Sequence, residues 1–147
     1  MTTTGIITPA ELRAEVEQFY AAHFHLLDEG RAEEWALTFT DDGVFHPPGG
    51  REPVRGRAAL AGGVGAGYRR LLEADEVHRH WHGMIEITPR AADGAVLVRC
   101  YALILATPSG GPTRTHLSCV CEDVLVRVEG RLLVRERRVH RDDQRGT

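Results

Sequence analysis

Three histidines stand at every second position in the stretch DEVHRHWHG, residues 75–83. His78, His80 and His82 would lie side by side if this stretch were a strand, because alternate strand residues share a face. An imidazole with an unperturbed pKa of about 6.5 can take up and return a proton near neutral pH, and a neutral imidazole binds metals. The spacing therefore indicates a proton-transfer site, a metal site, or a surface without function.

The metal alternative has a specific pattern behind it. His80, His82 and Glu86 reproduce the His-x-His-x-x-x-Glu arrangement of cupins, in which ligands on one strand face hold a transition metal. The second cupin motif, Pro-x-Gly-x-x-His-x-x-x-Asn, does not follow. The helical first half of the chain also disagrees with an all-β jelly roll. We expect no metal and no other cofactor.

The first half of the chain carries helical signals. Thr8, Pro9 and Glu11 form a helix start, and the following apolar spacing predicts a helix that ends near Gly30. A second helix is predicted over 31–42, with Trp35 facing inward, followed by a short strand before Pro47. A third helix is predicted within 54–76, with a flexible middle that could serve as a lid, because each of its four glycines weakens a helix by about 1 kcal/mol.

From residue 77 onward the apolar period changes to two. This predicts four long strands joined by Gly-containing turns, over 77–89, 94–107, 113–130 and 131–142. Helices followed by an antiparallel sheet make an α+β fold. We expect a loose N-terminal arm over 1–8, one domain over 9–141 and a tail over 142–147.

Composition limits the classes of function. The 147 residues fit one domain, and the net charge of -3 does not favour nucleic acid as a partner. The longest apolar run is too short to cross a membrane. Three cysteines in apolar runs, without a signal-peptide pattern, indicate a reduced, cytoplasmic protein.

Several segments, in order, resemble one family. LLDEGRAEEWALTFTDDGVF is similar to the helix-turn-helix-strand unit of SnoaL-like proteins, and PVRGRAAL to the entry of their third helix. HRHWHG resembles the start of their first long strand, and CEDVLVRVEGRLLVRERRV their closing hairpin. The resemblance implies the NTF2-like fold, a cone made of three helices on a curved antiparallel sheet. It also implies a pocket in the cone and a homodimer paired through the outer face of the sheet.

The resemblance also suggests catalytic residues. His80 matches the histidine that opens the first long strand in scytalone-dehydratase-like members, and Asp28 lies where the pocket aspartate of the family is found. A carboxylate beside an imidazole orients the ring and stabilises its charged form. His46 falls where the dehydratases place a tyrosine that holds a water or a substrate carbonyl. An exposed role at a helix end or strand end remains the alternative for Asp28 and His46.

Further residues are expected to contact a substrate. Glu136 and His140 share strand parity with Leu132, which predicts that they line the mouth of the cone. His116 is a second acid if its face lines the cavity, and a solvated residue if it does not. Tyr20 and Trp81 complete the expected substrate contacts.

Two functions remain open at this point. The first is a cofactor-free cyclase, dehydratase or isomerase of polyketide-like or antibiotic biosynthesis, acting on an apolar, oxygenated small molecule. The dehydratases, however, carry a second catalytic histidine on the second long strand, and VLVRCYALILA contains none. The second function is therefore a non-catalytic ligand-binding protein, or a structural subunit like the β subunit of ring-hydroxylating dioxygenases.

Overall fold

The computed structural model describes residues 6–145, so part of the predicted arm (residues 1–5) and the last two residues of the predicted tail lie outside the described residues. The helices are α1 (Pro9–Asp28), α2 (Ala32–Ala36) and α3 (Arg57–Glu73). The strands are β1 (Phe39–His46), β2 (Val54–Arg55), β3 (Glu76–Pro89), β4 (Val96–Pro108), β5 (Arg114–Val128) and β6 (Arg131–Arg141), followed by a short 3-10 turn at Asp142–Gln144.

Helix α1 begins as its sequence predicts. Thr8 and Glu11 form a reciprocal capping box, and Pro9 occupies the first helical turn. The helix ends just before Gly30, whose φ of 73° suits a residue without a side chain. A Cβ at Gly30 would collide with the ring of Tyr68, so this glycine also lets α3 pack against the end of α1.

One helix prediction needs correction. The second helix ends at Ala36 rather than near residue 42, because the chain enters the sheet there. Val134 of β6 donates its backbone N–H to the carbonyl of Thr38, and Phe39, fully buried, is already the first residue of β1. The third helix is confirmed as α3, which runs without interruption through its glycines.

The six strands form one sheet in the order β2-β1-β6-β5-β4-β3. The predicted long strands β3 to β6 are confirmed and pair as antiparallel neighbours. Strand β1 differs from the expectation of a wholly antiparallel sheet, because it pairs parallel to β6. The helices cover the concave face of the sheet, and the core lies between these two layers.

Irregularities in β5 and β6 decide which side chains face the core. Arg135 is an extra residue between the pairs Leu125–Val134 and Val124–Glu136, so strand parity reverses there. Arg137 therefore points inward, and the expectation that Glu136 and His140 share the inner face of Leu132 is wrong. In β5, His116 is the extra residue between Thr115 and Leu117, which separates it from the outward face of Ser118.

Within residues 6–145, no helix combines the length and apolar character needed to cross a bilayer.

Candidate functional site

A cavity of about 380 Å³ opens between α3, the end of α1 and the first half of β3. Its wall is mostly apolar and carries a small group of ionisable side chains, as ligand pockets usually do. The lining residues include Leu27, Val64, Tyr68 and Leu71 on the apolar side and Asp28, His78, His80 and His116 on the polar side. The alternation of β3 places His78 and His80 on the same, inward face.

His80 and Asp28 form the tightest contact in this cavity. Nδ1 of His80 lies 2.6 Å from Oδ1 of Asp28, and the backbone N–H of His80 donates to Oδ2 at 3.0 Å. The carboxylate is nearly buried, with 8% of its side chain exposed, whereas the ring keeps 21%. Both oxygens of Asp28 are therefore committed to one residue, which fixes the position and the angle of the imidazole.

This arrangement sets the chemistry that His80 can perform. A carboxylate on Nδ1 favours the tautomer in which Nδ1 carries the proton, so Nε2 presents its lone pair. Within residues 6–145, no side chain forms a hydrogen bond with that Nε2. An oriented imidazole with one free nitrogen at a cavity wall can act as a general base and then return the proton as an acid.

A second imidazole–carboxylate pair lies at the start of β3. Nε2 of His78 is 3.0 Å from Oε1 of Glu76, and Arg114 donates to the same oxygen at 3.0 Å. Hydrogen bonding to His78, partly offset by burial and reinforced by Arg114, lowers the pKa of Glu76. The ring of His116 lies 4.9 Å from that of His78. Burial, followed by the charge of His78, lowers the pKa of His116.

His82 has a different environment from His78 and His80. Its ring stacks on Phe24 with centroids 3.8 Å apart, and Nδ1 lies 3.4 Å from Sγ of Cys100. Burial, with smaller contributions from the charges of Arg137 and His80, lowers the pKa of His82 to about 2. His82 is therefore neutral at physiological pH and is not an acid.

A buried polar network behind the cavity was missed by sequence reasoning. Arg137 and Asp123 form a bidentate ion pair, with both nitrogen–oxygen distances at 2.8 Å and both side chains almost fully buried. Tyr20 donates its hydroxyl to Asp123 at 2.7 Å, and burial together with that carboxylate raises the pKa of Tyr20. Tyr20, expected to contact a substrate, is therefore buried, and its hydroxyl is bound within the protein.

His23 completes this network from α1. Arg137 donates to Nε2 of His23 at 2.9 Å, so the ring proton lies on Nδ1 and is donated to the hydroxyl of Thr38 at 2.6 Å. Burial and the charge of Arg137 lower the pKa of His23 well below its usual value. For Asp123, the sequence signals are the Glu-Asp dipeptide at 122–123 and the apolar parity of β5. The inward position of Arg137 could not be predicted from strand alternation, because the bulge at Arg135 reverses the parity of β6.

Three of the expected site residues lie on the other face of the sheet. His46 is in register with Arg138, and its Nε2 is 2.9 Å from Oε1 of Glu136 on that outer face. His140 pairs there with Glu122 at 3.2 Å and is 58% exposed. Glu136 and His140 were expected to line the cavity but point outward because of the bulge at Arg135. His46 points outward because Phe45, the residue before it, takes the inward position of β1.

Trp81 also points away from the 380 Å³ cavity. It lies between His80 and His82 in a strand of period two, and 68% of its surface is exposed. It borders instead a groove of about 430 Å³ between α1 and the outermost strand, β3, together with Phe24, Met84 and Ile85. The structure thus brings together His80, Asp28 and His116 and separates them from His46, Glu136 and His140, whereas Trp81 lines the neighbouring groove, which His80 also borders.

Comparison with known proteins identifies relatives of this chain. Residues 8–138 match the model of the SnoaL-like domain. A protein from Catenulispora acidiphila, solved in complex with S-DNPA, is 41% identical, with a TM-score of 0.82 over 91% of this chain and 96% of the other. Among curated proteins, none matches.

Two structures from Streptomyces are also similar. Aln2 from a Streptomyces species is 33% identical, with a TM-score of 0.85 over 95% of this chain and 96% of Aln2. ActVI-ORFA from Streptomyces coelicolor is 29% identical, with a TM-score of 0.87 over 94% of this chain and the whole of that protein. An NTF2-like protein from Novosphingobium aromaticivorans, 22% identical with a TM-score of 0.77, shows that the fold is the NTF2-like cone.

The lowered pKa values of His23 and His82 predict that the protein loses stability in mild acid. His23 and His82 stay neutral when folded, but both take up a proton in the unfolded chain as pH falls through about 6.5. Protons therefore favour unfolding, and the free energy of unfolding should fall by about 2 kcal/mol between pH 6.5 and 5.5. Urea unfolding at the two pH values measures this difference.

The variant His82→Phe is the control for this prediction. It removes one of the two titrating groups, so the loss of stability between the two pH values should be about half as large. An equal loss in the variant and the wild type, or no loss in either, would contradict the assignment of His82 as a neutral buried ring.

Proposed function

The chain belongs to the SnoaL-like domain family, and we propose that it is an enzyme that moves a proton on an apolar, oxygenated small molecule. The reaction class is a dehydration, isomerisation or ring closure of a polyketide-like compound, as in antibiotic biosynthesis. The observation that carries this proposal is the His80–Asp28 pair at the wall of the cavity. Its geometry is that of a base with its orienting carboxylate, and a purely structural ion pair does not need a free ring nitrogen facing a ligand space.

The proposed step begins on a carbon next to a ketone. Nε2 of His80 removes a proton from this carbon, and the electrons of the C–H bond form the carbon–carbon double bond of an enolate. Asp28 stabilises the imidazolium that results, because its carboxylate accepts a hydrogen bond from Nδ1 of His80 at 2.6 Å. Return of the proton to another atom gives isomerisation, whereas departure of a hydroxyl group gives dehydration. Only side chains take part in this step.

The cavity supports the class of substrate. Its apolar wall, formed by α1 and α3, suits fused rings, and the ionisable groups gather on the β3 side, where oxygen atoms could be recognised. A relative 41% identical to this chain has been solved in complex with S-DNPA, which supports a small molecule as ligand. The proposal extends that mode of binding to this chain.

Substitution of the base should abolish catalysis without unfolding the protein. With α-tetralone, a bicyclic aryl ketone, in heavy water, the wild type should accelerate exchange of the protons next to the ketone, followed by NMR. His80→Gln should reduce this rate by roughly 10²- to 10⁴-fold, because proton transfer is then no longer assisted. Asp28→Asn should reduce it by at least about tenfold, since the amide does not stabilise the charged ring.

The matched control is His140→Gln, which removes an imidazole paired with a carboxylate on the outer face. This variant should exchange protons at the wild-type rate. If His80→Gln also retained the wild-type rate, the proposed base would be wrong. If the wild type bound S-DNPA but catalysed no exchange, the protein would be the non-catalytic alternative, and copurification with a larger partner would identify the dioxygenase-β-like subunit.

The outer face of the sheet supports a homodimer as part of the proposal. Trp81, Leu103 and Tyr101 are exposed on adjacent strands, and Trp81 lies in register with Leu103. Clustered exposed apolar residues of this kind usually mark a protein interface. The proposed location is the cytoplasm, where the three free cysteines would remain reduced.

A charge at this face should separate the subunits. We expect the wild type to be a dimer by light scattering after size exclusion, and Leu103→Glu to be a monomer, because the carboxylate would be buried without a partner. Val128→Glu, at another exposed apolar residue near the β5–β6 turn, is the control and should remain dimeric. A monomeric wild type would contradict the proposed dimer, because this face would then be exposed to solvent.

A further inference from the structure

We propose that His78 is a second catalytic residue, the acid that protonates the oxygen leaving the substrate, and that Glu76 positions it. This inference rests on the proposed function and adds a partner to His80. It assigns a role to the one member of the histidine triplet that neither the buried core nor the His80–Asp28 pair accounts for.

His78 is placed to share a ligand with His80. Both project from the same face of β3, two residues apart, and both line the 380 Å³ cavity. His78 lies nearer the start of the strand, next to His116 of β5. A substrate held against His80 along this face would therefore also reach His78, so that one face of the strand presents two imidazoles to one ligand.

The side chain of His78 is held in a fixed geometry. Glu76 accepts from Nε2 of His78 and from Arg114 at 3.0 Å each, so the carboxylate is anchored on β5 as well as on β3. His78 and Glu76 expose only 19% and 17% of their side chains. With Nε2 occupied, Nδ1 is the nitrogen left for a ligand. In His80 the occupied nitrogen is Nδ1, so the two rings are bound in opposite senses.

The imidazole–carboxylate pairs of the protein fall into two groups by their position on the sheet. Among residues 6–145 the other such pairs with contacts below 4 Å are His46–Glu136 and His140–Glu122, and both lie on the outer face. The pairs of His78 and His80 are those whose histidines line this cavity. A pair that only made the surface more polar would lie in an exposed position, whereas this pair is half-buried at the wall of the cavity.

The two pairs together complete a dehydration. His80 takes the proton from the carbon next to the ketone, and the resulting enolate re-forms its ketone while the carbon–oxygen bond at the β position breaks. The leaving hydroxide takes a proton from the imidazolium of His78, so the products are an enone and one water. His80 ends protonated and His78 neutral, and exchange with solvent restores both, because the two side chains keep 21% and 19% of their surface exposed.

His116 and the other charged groups around His78 fit this role. The lowered pKa of His116 keeps that ring neutral, so it adds no positive charge beside His78. The groups that face His78 are Glu76 and His80 from β3, Asp28 from α1, Arg70 from α3, and Arg114 and His116 from β5.

The test separates proton removal from loss of water. The probe for both steps is a tetralone with a hydroxyl β to its ketone, which loses water and tautomerises to a fluorescent naphthol. The probe for the first step alone is plain α-tetralone in heavy water. His78→Gln should reduce naphthol formation by roughly 10²-fold or more and leave deuterium exchange within about threefold of wild type.

Two further variants distinguish chemistry from structure. In His78→Gly, added imidazole should restore naphthol formation, which no structural role of the ring would explain. Glu76→Gln should lower kcat for naphthol formation with KM unchanged, because binding of the probe does not depend on the carboxylate. His140→Gln again serves as the unaffected control.

The outcomes are distinct. Wild-type naphthol formation by His78→Gln would overturn the role of His78 while the function of His80 stands. An equal fall of exchange and naphthol formation would also overturn it, because His78 would then serve the first step. A wild type inactive in both assays would overturn the proposed function and this inference with it.

Discussion

The structure depends on one buried ion pair, Asp123 with Arg137. Two charges leave water to form it, and removal of either partner would leave the other uncompensated at a cost of about 3–5 kcal/mol. Further hydrogen bonds from α1 offset this cost, because Tyr20 donates to Asp123 and His23 accepts from Arg137. The same contacts fix the helix on the sheet, so that the apolar packing of α1 and the polar network specify one arrangement.

The candidate site follows from this constraint. Because α1 is held along its length, its last residue, Asp28, meets β3 at His80, and both carboxylate oxygens are used. The charge of Arg137 also helps to keep His82 neutral. The three histidines of β3 therefore differ in their surroundings although they share a face: His82 is a buried neutral ring, His80 is oriented by Asp28 and is the proposed base, and His78 is paired with Glu76.

The sequence predicted the parts of the fold that depend on local patterns. The capping signal at Thr8 and the period-two runs indicated α1 and the long strands, and the family resemblance pointed to His80 and Asp28. What it could not predict were the features set by single extra residues. The bulge at Arg135 reverses the parity of β6, which turns Glu136 outward and Arg137 inward, and a bulge places His116 at the cavity. A buried pair 14 residues apart in sequence leaves no local pattern.

The central claim is that an apolar, oxygenated ligand binds in the cavity with its reacting part at His80. A crystal structure of the complex with S-DNPA tests it most directly. The account predicts the rings between α3 and β3, in contact with Leu27 and Leu71, and a ligand oxygen or the carbon next to it within about 3.5 Å of Nε2 of His80. Binding of the ligand only in the groove beside Trp81 and Met84, with no ligand atom within about 3.5 Å of Nε2 of His80, would contradict it.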